Sequence, residues 1–274
     1  ALVAKPGTTK SIAVAEMITT LHTAPSIAQF LEQFKYSMEK EGVDFRKMKS
    51  VVVDHSFALM HAVSKTFNET SLNDYLDKCW TTIQTNKSRI ILPISLCCAH
   101  IILIFIKKSY IKNIHSSAVR KVLISSTGYI INSNDFENIS FFIKHSLKIL
   151  LCQSKDTCSS SIQLIHNVVN GMNITEDQNS CNICVELKNF DKNKKRKLLK
   201  ESPFYVFFAE MKLNIMEEIH DDSVSPLDIN PFYLPKMADE LVDKYLPLLP
   251  LWSAIITGER KSNAAVESWF RTIP

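Results

Sequence analysis

The chain has 274 residues, 46% of them hydrophobic and 22% charged, with 5 Gly, 7 Cys and a formal net charge of +4. That length buries one large core or two smaller ones, and so few glycines exclude a sandwich or propeller built on many tight turns and favour long helices. The mild positive charge permits nucleic-acid binding without requiring it, and an odd number of scattered cysteines excludes a secreted disulfide framework and points to a reducing compartment. The opening Ala1-Leu2-Val3-Ala4 has neither Met nor a basic-then-apolar leader, and Pro274 follows directly on a helical pattern. The expectation is a fragment of a longer protein, not secreted.

Residues 10–40 carry helical periodicity, with Ile12, Ala15, Met17, Ile18 and Leu21 on one stripe. Pro25-Ser26 is expected to break it, and a second helix to run from Ile27 to about Met38. The β-branched run that ends Ser50–Val53 reads as a short buried strand, and Ser56–Phe67 as an amphipathic helix. Ser71-Leu72-Asn73-Asp74 is a capping-type start for a helix through Cys79-Trp80. An apolar strand follows near Ile90–Leu96, then a helix through Ile114. The stretch Ile90–Ile106 falls a little short of a membrane span and holds Pro93, Ser95 and His100, so a buried strand leading into a buried helix fits it better.

Alternation of helix and strand over 1–115 indicates an α/β unit. The next block, 116–245, reads as helical. Segments 135–152 and 158–170 have helical periodicity, with Gly171 as a stop. A polar stretch, Asn173–Ser180, precedes the basic run Lys192-Asn193-Lys194-Lys195-Arg196-Lys197. Helices are expected at Pro203–Ile219 and 236–246, separated by irregular chain at 221–235 with three prolines. Pro247–Trp252 reads as an apolar turn-like joint, and Ser262–Arg271 as a last helix within 246–274.

Asp54 sits where a buried strand gives way to a helix. At the carboxyl end of a strand in an α/β sheet such a carboxylate meets ligands and metals, but Asp is also a favoured helix cap. Glu267 lies one turn into the last expected helix, where the helix dipole alone would favour it. Two converging carboxylates would bind Mg²⁺, and two such ions would align water and leaving oxygen across a phosphodiester. Cys98-Ala99-His100, beside Cys97, offers two zinc-type ligands, though buried packing is the commoner reason for such a pair. Cys181-Asn182-Ile183-Cys184 has Cys-x-x-Cys spacing without a matching second pair, and reads as a reduced thiol pair. Lys194, Lys195, Arg196 and Lys197 read as a solvated face or as phosphate contacts, and so do Arg260 and Lys261 near Glu267.

Taken in order, these segments resemble the catalytic region of eukaryotic cut-and-paste DNA transposases, closest to the Mutator-like group. The residues that carry the resemblance are Val51-Val52-Val53-Asp54-His55-Ser56-Phe57-Ala58-Leu59-Met60-His61-Ala62-Val63, Phe67-Asn68, Leu72-Asn73-Asp74-Tyr75-Leu76, Cys98-Ala99-His100 and Asn263-Ala264-Ala265-Val266-Glu267-Ser268-Trp269-Phe270. Residues 12–34 also look like the helix that precedes the second acidic strand of that group. The similarity covers about 1–115 and 246–274, and order and spacing carry it.

The resemblance implies an α/β, predominantly helical fold, an incomplete RNase H-like core with a large all-α insertion at 116–245. It implies that Asp54 is the second and Glu267 the third of three acids that bind Mg²⁺ or Mn²⁺ and drive DNA strand cleavage and transfer. Cys98 and His100 would match the family's Cys/His motif, in a structural or DNA-contacting role, with zinc a minor alternative. The family's first Asp precedes the helix expected at 10–40, and Asp44 cannot replace it. The chain by itself is therefore expected not to cleave DNA. Transposon-end DNA is the implied partner, in the nucleus (or cytoplasm), with no small-molecule cofactor and no membrane, while a homo-oligomer is left open. The alternative is a domesticated or decayed remnant that acts as a non-enzymatic DNA- or protein-binding module.

Overall fold

The computed structural model describes residues 2–4, 12–15, 23–87, 90, 92–171, 192–219 and 228–259. The molecule is mostly helical, with four short strands among the described residues. It divides into two compact units, one of residues 1–101, 180–196 and 261–274, the other of 102–179 and 197–260.

In the first unit, β1 (Leu2–Ala4) pairs antiparallel with β2 (Ile12–Ala15). The expected helix from residue 10 is thus a strand where it is described, since the helical stripe assigned to Ile12 and Ala15 also fits an extended run. Helix α1 spans Ala24–Lys40, capped by Thr23, whose Oγ1 accepts from Ser26 N. Pro25 does not break this helix. It stands in the first turn, where its missing N–H costs nothing. Ile27, Ala28 and Leu31 form the buried face of α1, which packs against α2 (Phe57–Asn68).

Strand β3 is Val51–Val53, and β4 is Ile94–Leu96. They pair parallel, Val51 opposite Ile94 and Val53 opposite Leu96, and the connection between them carries α2 and α3 (Leu72–Thr85). All three residues of β4 are buried, Ser95 among them, while in β3 Val53 alone is fully buried. The free side of β4 is held by side chains. Tyr75 Oη accepts from Ile94 N at 2.8 Å, and Asn68 bonds both Leu92 N and Leu92 O, at 2.8 and 2.9 Å. Tyr75 is fully buried. Replacing it with Phe leaves the Ile94 N–H unsatisfied, and a loss of about 1–3 kcal/mol in unfolding free energy is expected in urea titration.

The apolar segment expected at 90–106 becomes β4 and α4 (Cys98–Ile106), with Ile94, Ile101 and Phe105 buried. No helix among the described residues is long and apolar enough to cross a membrane.

In the second unit, α5 (Ser109–Lys112) leads to α6 (Ser117–Asn132), a helix the periodicity does not announce. Its middle reads Ser125-Ser126-Thr127-Gly128, a poor helix-forming run. The hydroxyls of Ser126 and Thr127 fold back onto the carbonyls of Val122 and Leu123, which lets them stay buried. Helices α7 (Phe136–Leu151), capped by Asp135, and α8 (Ser159–Asn170) match expectation.

The basic run opens α9 (Lys192–Glu201), followed by α10 (Pro203–Glu218). Phe136 is stacked among Phe204, Phe207 and Phe208, with centroids 5.4–6.3 Å away. Helix α11 (Pro235–Glu240) continues through a π-helical turn, Leu241–Tyr245, and a 3₁₀ turn, Leu246–Leu248, into α12 (Leu249–Trp252). The apolar joint expected at 247–252 is therefore helical, and all of it is buried. Its prolines fall at first-turn positions, where they start short helical turns.

Candidate functional site

The turn from β3 into α2 is where the sequence places its strongest carboxylate. Ser56, not Asp54, is the N-cap of α2. Its Oγ accepts from Leu59 N, and its backbone is extended. The N-cap position at this junction is therefore held by Ser56 and not by Asp54. Its side chain stays about a quarter exposed at the carboxyl end of β3.

Strand β4 delivers a second group to the same place. Parallel register sets Leu96 beside Val53, and Cys97 N donates to Val53 O at 2.9 Å. Helix α4 starts one residue later, so His100 lies within its first turn. His100 Nδ1 comes to 3.2 Å from Asp54 Oδ1, with the imidazole 8% exposed. At that distance the carboxylate attracts the ring when the ring turns a proton towards it. A ring with the proton on Nδ1 is favoured, because two lone pairs at that distance would repel. Such a partner restricts a carboxylate to one orientation, the role outer groups play around metal-ligating acids.

A cation also lies near this turn. Lys195 Nζ sits 4.5 Å from the centroid of the Phe57 ring, at the first residue of α2. Asp54, His100 and Lys195, all singled out in the sequence, thus belong to one part of the first unit. Cys98 is buried at the start of α4, next to the fully buried Cys97. Among the described residues no three His, Cys, Asp or Glu side chains group as they would around a metal ion, so Cys98 and His100 have no zinc set there. Arg196 and Lys197 are exposed, Lys197 pairing with Glu201 at 3.7 Å. Glu267, Arg260, Lys261, Cys181, Cys184, the Lys194 side chain and the helix expected at 262–271 lie outside the described residues.

At this place the partly exposed Asp54 carboxylate is an oxygen donor of the kind a hard divalent cation takes, with His100 beside it as an orienting group. Such ions take oxygen donors and usually keep several waters. The sequence did not show the pairing of Asp54 with His100. It depends on parallel register, and the signal for it was that each residue directly follows a short β-branched or apolar strand.

No family model, curated protein or solved structure matches this chain.

Proposed function

We propose that this chain is part of the catalytic region of a cut-and-paste DNA transposase, with an RNase H-like core and a helical insertion, acting on DNA in the nucleus. One observation carries the reading. A carboxylate two residues ahead of the α2 N-cap stands partly exposed at the carboxyl end of a parallel strand pair, with an imidazole from the neighbouring strand's helix at 3.2 Å. Asp54 and Glu267 would hold Mg²⁺ or Mn²⁺, which when bound positions water or a DNA 3′-hydroxyl for attack on phosphorus. His100 keeps the Asp54 carboxylate in one orientation. Lys195 contributes positive charge for a DNA phosphate near the start of α2.

Fe²⁺ with ascorbate tests this directly, because iron seated in a Mg²⁺ site generates radicals that cut the backbone beside its ligands. Cuts are expected near residues 54 and 267 together, suppressed by excess Mg²⁺ and lost in Asp54→Asn. Cuts that ignore that substitution, or that spare one of the two positions, would sink the proposal.

A second reading is favoured by the exposed Arg196 and Lys197 on α9. These cations would bind phosphates in a non-enzymatic DNA-binding module without any metal. Salt-dependent DNA binding that is unchanged in Asp54→Asn, together with no iron cuts, selects it.

A further inference from the structure

Helix α10 is apolar on two opposite sides. Phe204, Phe208 and Ile215 are buried. Val206, Leu213 and Met216 are instead 58%, 59% and 52% exposed. At 3.6 residues per turn these three and the partly exposed Ala209 form a second stripe, roughly opposite the first. The steps from 206 to 209, 213 and 216 are three, four and three residues, the spacing of a two-helix seam. Apolar side chains clustered on one exposed helix face mark an interaction surface.

We propose that a second copy of this chain covers this stripe, α10 lying parallel to α10 across a two-fold axis. The flanking charges select both the occupant and the direction. Val206 and Leu213 take one set of seam positions, Ala209 and Met216 the other. Glu210 and Glu217 then border the seam on one side, Tyr205 and Lys212 on the other. In a parallel pair each flanking residue meets the one five positions further along the opposite helix. Lys212 meets Glu217 of the second copy, Tyr205 meets its Glu210, and symmetry repeats both contacts. An antiparallel pair would set glutamates against glutamates.

Lys212 also pairs with Asp239 of its own chain, and an ammonium has donors left for a second carboxylate. Ala209 leaves room for the two helices to approach closely. A seam of one 16-residue helix is about 24 Å long. Its buried area falls below the roughly 1,200 Å² of a standard stable interface, so the dimer is reversible and not obligate.

Sedimentation velocity of the full chain, from about 1 to about 200 µM, tests this over the affinity range of such contacts. The sedimentation coefficient is expected to rise with concentration. Leu213→Glu should weaken association by at least about tenfold, near 1.4 kcal/mol, without changing far-UV circular dichroism, because the position is exposed. Glu217→Lys should weaken it as well, by setting like charges across the seam. Leu213→Cys should give a covalent dimer under glutathione disulfide that the parent chain does not form, since a parallel seam brings the two 213 positions face to face. A monomer throughout the range, self-association indifferent to Leu213→Glu, or no cross-link from Leu213→Cys in a chain that dimerises would each overturn the proposal.

Discussion

Replacing Asn230 with Ala is expected to be the most damaging single polar change in the helical unit, costing about 3–5 kcal/mol. The reason lies at the end of α7. The last four carbonyls of any helix lack partners within it. In α7 the segment 228–234 reaches two of them, Ile149 O and Leu150 O, and two carbonyls just past the helix end, Cys152 O and Gln153 O. Leu234 N donates to Leu150 O at 2.9 Å, and Asn230 N donates to Gln153 O at 2.8 Å. The Asn230 amide donates to both Ile149 O and Cys152 O at 2.7 Å, while its oxygen accepts from Phe232 N at 2.9 Å. Asn230 is 2% exposed, so water cannot take over these bonds.

Alanine would leave two carbonyls and one N–H buried and unpaired. Asn230→Asp separates loss of shape from loss of donors. It keeps the size, but sets a second oxygen against the two carbonyls, and should be at least as harmful as Ala. The check is thermal unfolding followed by near-UV circular dichroism. A drop of roughly 10 °C is expected for Ala, from the usual few degrees per kcal/mol in units of this size. A drop below a few degrees, or an Asp variant close to wild type, would show that the amide donors do not hold this segment.

Asn230 also marks what a sequence discloses and what it withholds. Segment 228–234 lies in the stretch 221–235 that reads as irregular connection, and by backbone it is irregular. Its role as the cap of a helix far away in the chain comes from tertiary packing, which periodicity does not record. The same division runs through the first unit. Val51–Val53 and the helix after it are legible, because a β-branched run and an apolar stripe are local signals. Which residue caps α2 is not legible, since Asp54 and Ser56 are both favoured cap types two residues apart. Only geometry assigns the cap to Ser56, and that assignment changes how Asp54 is read.

Pro25 shows the opposite difficulty. A proline that ends one pattern and one that begins another look alike in sequence, and here it begins α1. Helix α6 escaped because Ser125, Ser126 and Thr127 lower its propensity, and their compensation by backbone carbonyls is invisible until the helix exists. As for the site, Asp54 and His100 were each visible as chemistry-bearing residues. Their approach to 3.2 Å follows from which strand pairs with which, and at what register.

The second large effect concerns Glu240 and acid. This carboxylate ends α11 and accepts three hydrogen bonds, each 2.9 Å long. Oε2 takes Lys108 Nζ and the Tyr110 hydroxyl, and Oε1 takes Lys244 Nζ. Burial pushes the Glu240 carboxyl upward, but the bonds from Lys244, Lys108 and Tyr110 outweigh it and hold it down at about 2. A carboxyl depressed in the folded chain contributes stability that is fully present above its ordinary value near 4.5. That stability is lost as pH falls through about 2.

The shift corresponds to about 3 kcal/mol, and solvent screening of a side chain 14% exposed leaves about 2–3 kcal/mol of it. Glu240→Gln should therefore be less stable than wild type by about that amount at neutral pH. The gap between the two should narrow steadily as pH falls from about 5 towards 2, because wild type alone gives up this contribution. Urea titrations of both chains at stepwise lower pH measure it. The titrations of all other carboxylates are common to both proteins and cancel in the difference. A constant gap across the acid range would mean that Glu240 is held by packing and not by its charge. The bonds to Lys108 and Tyr110, residues from the start of this unit, would then be incidental to the docking of α11.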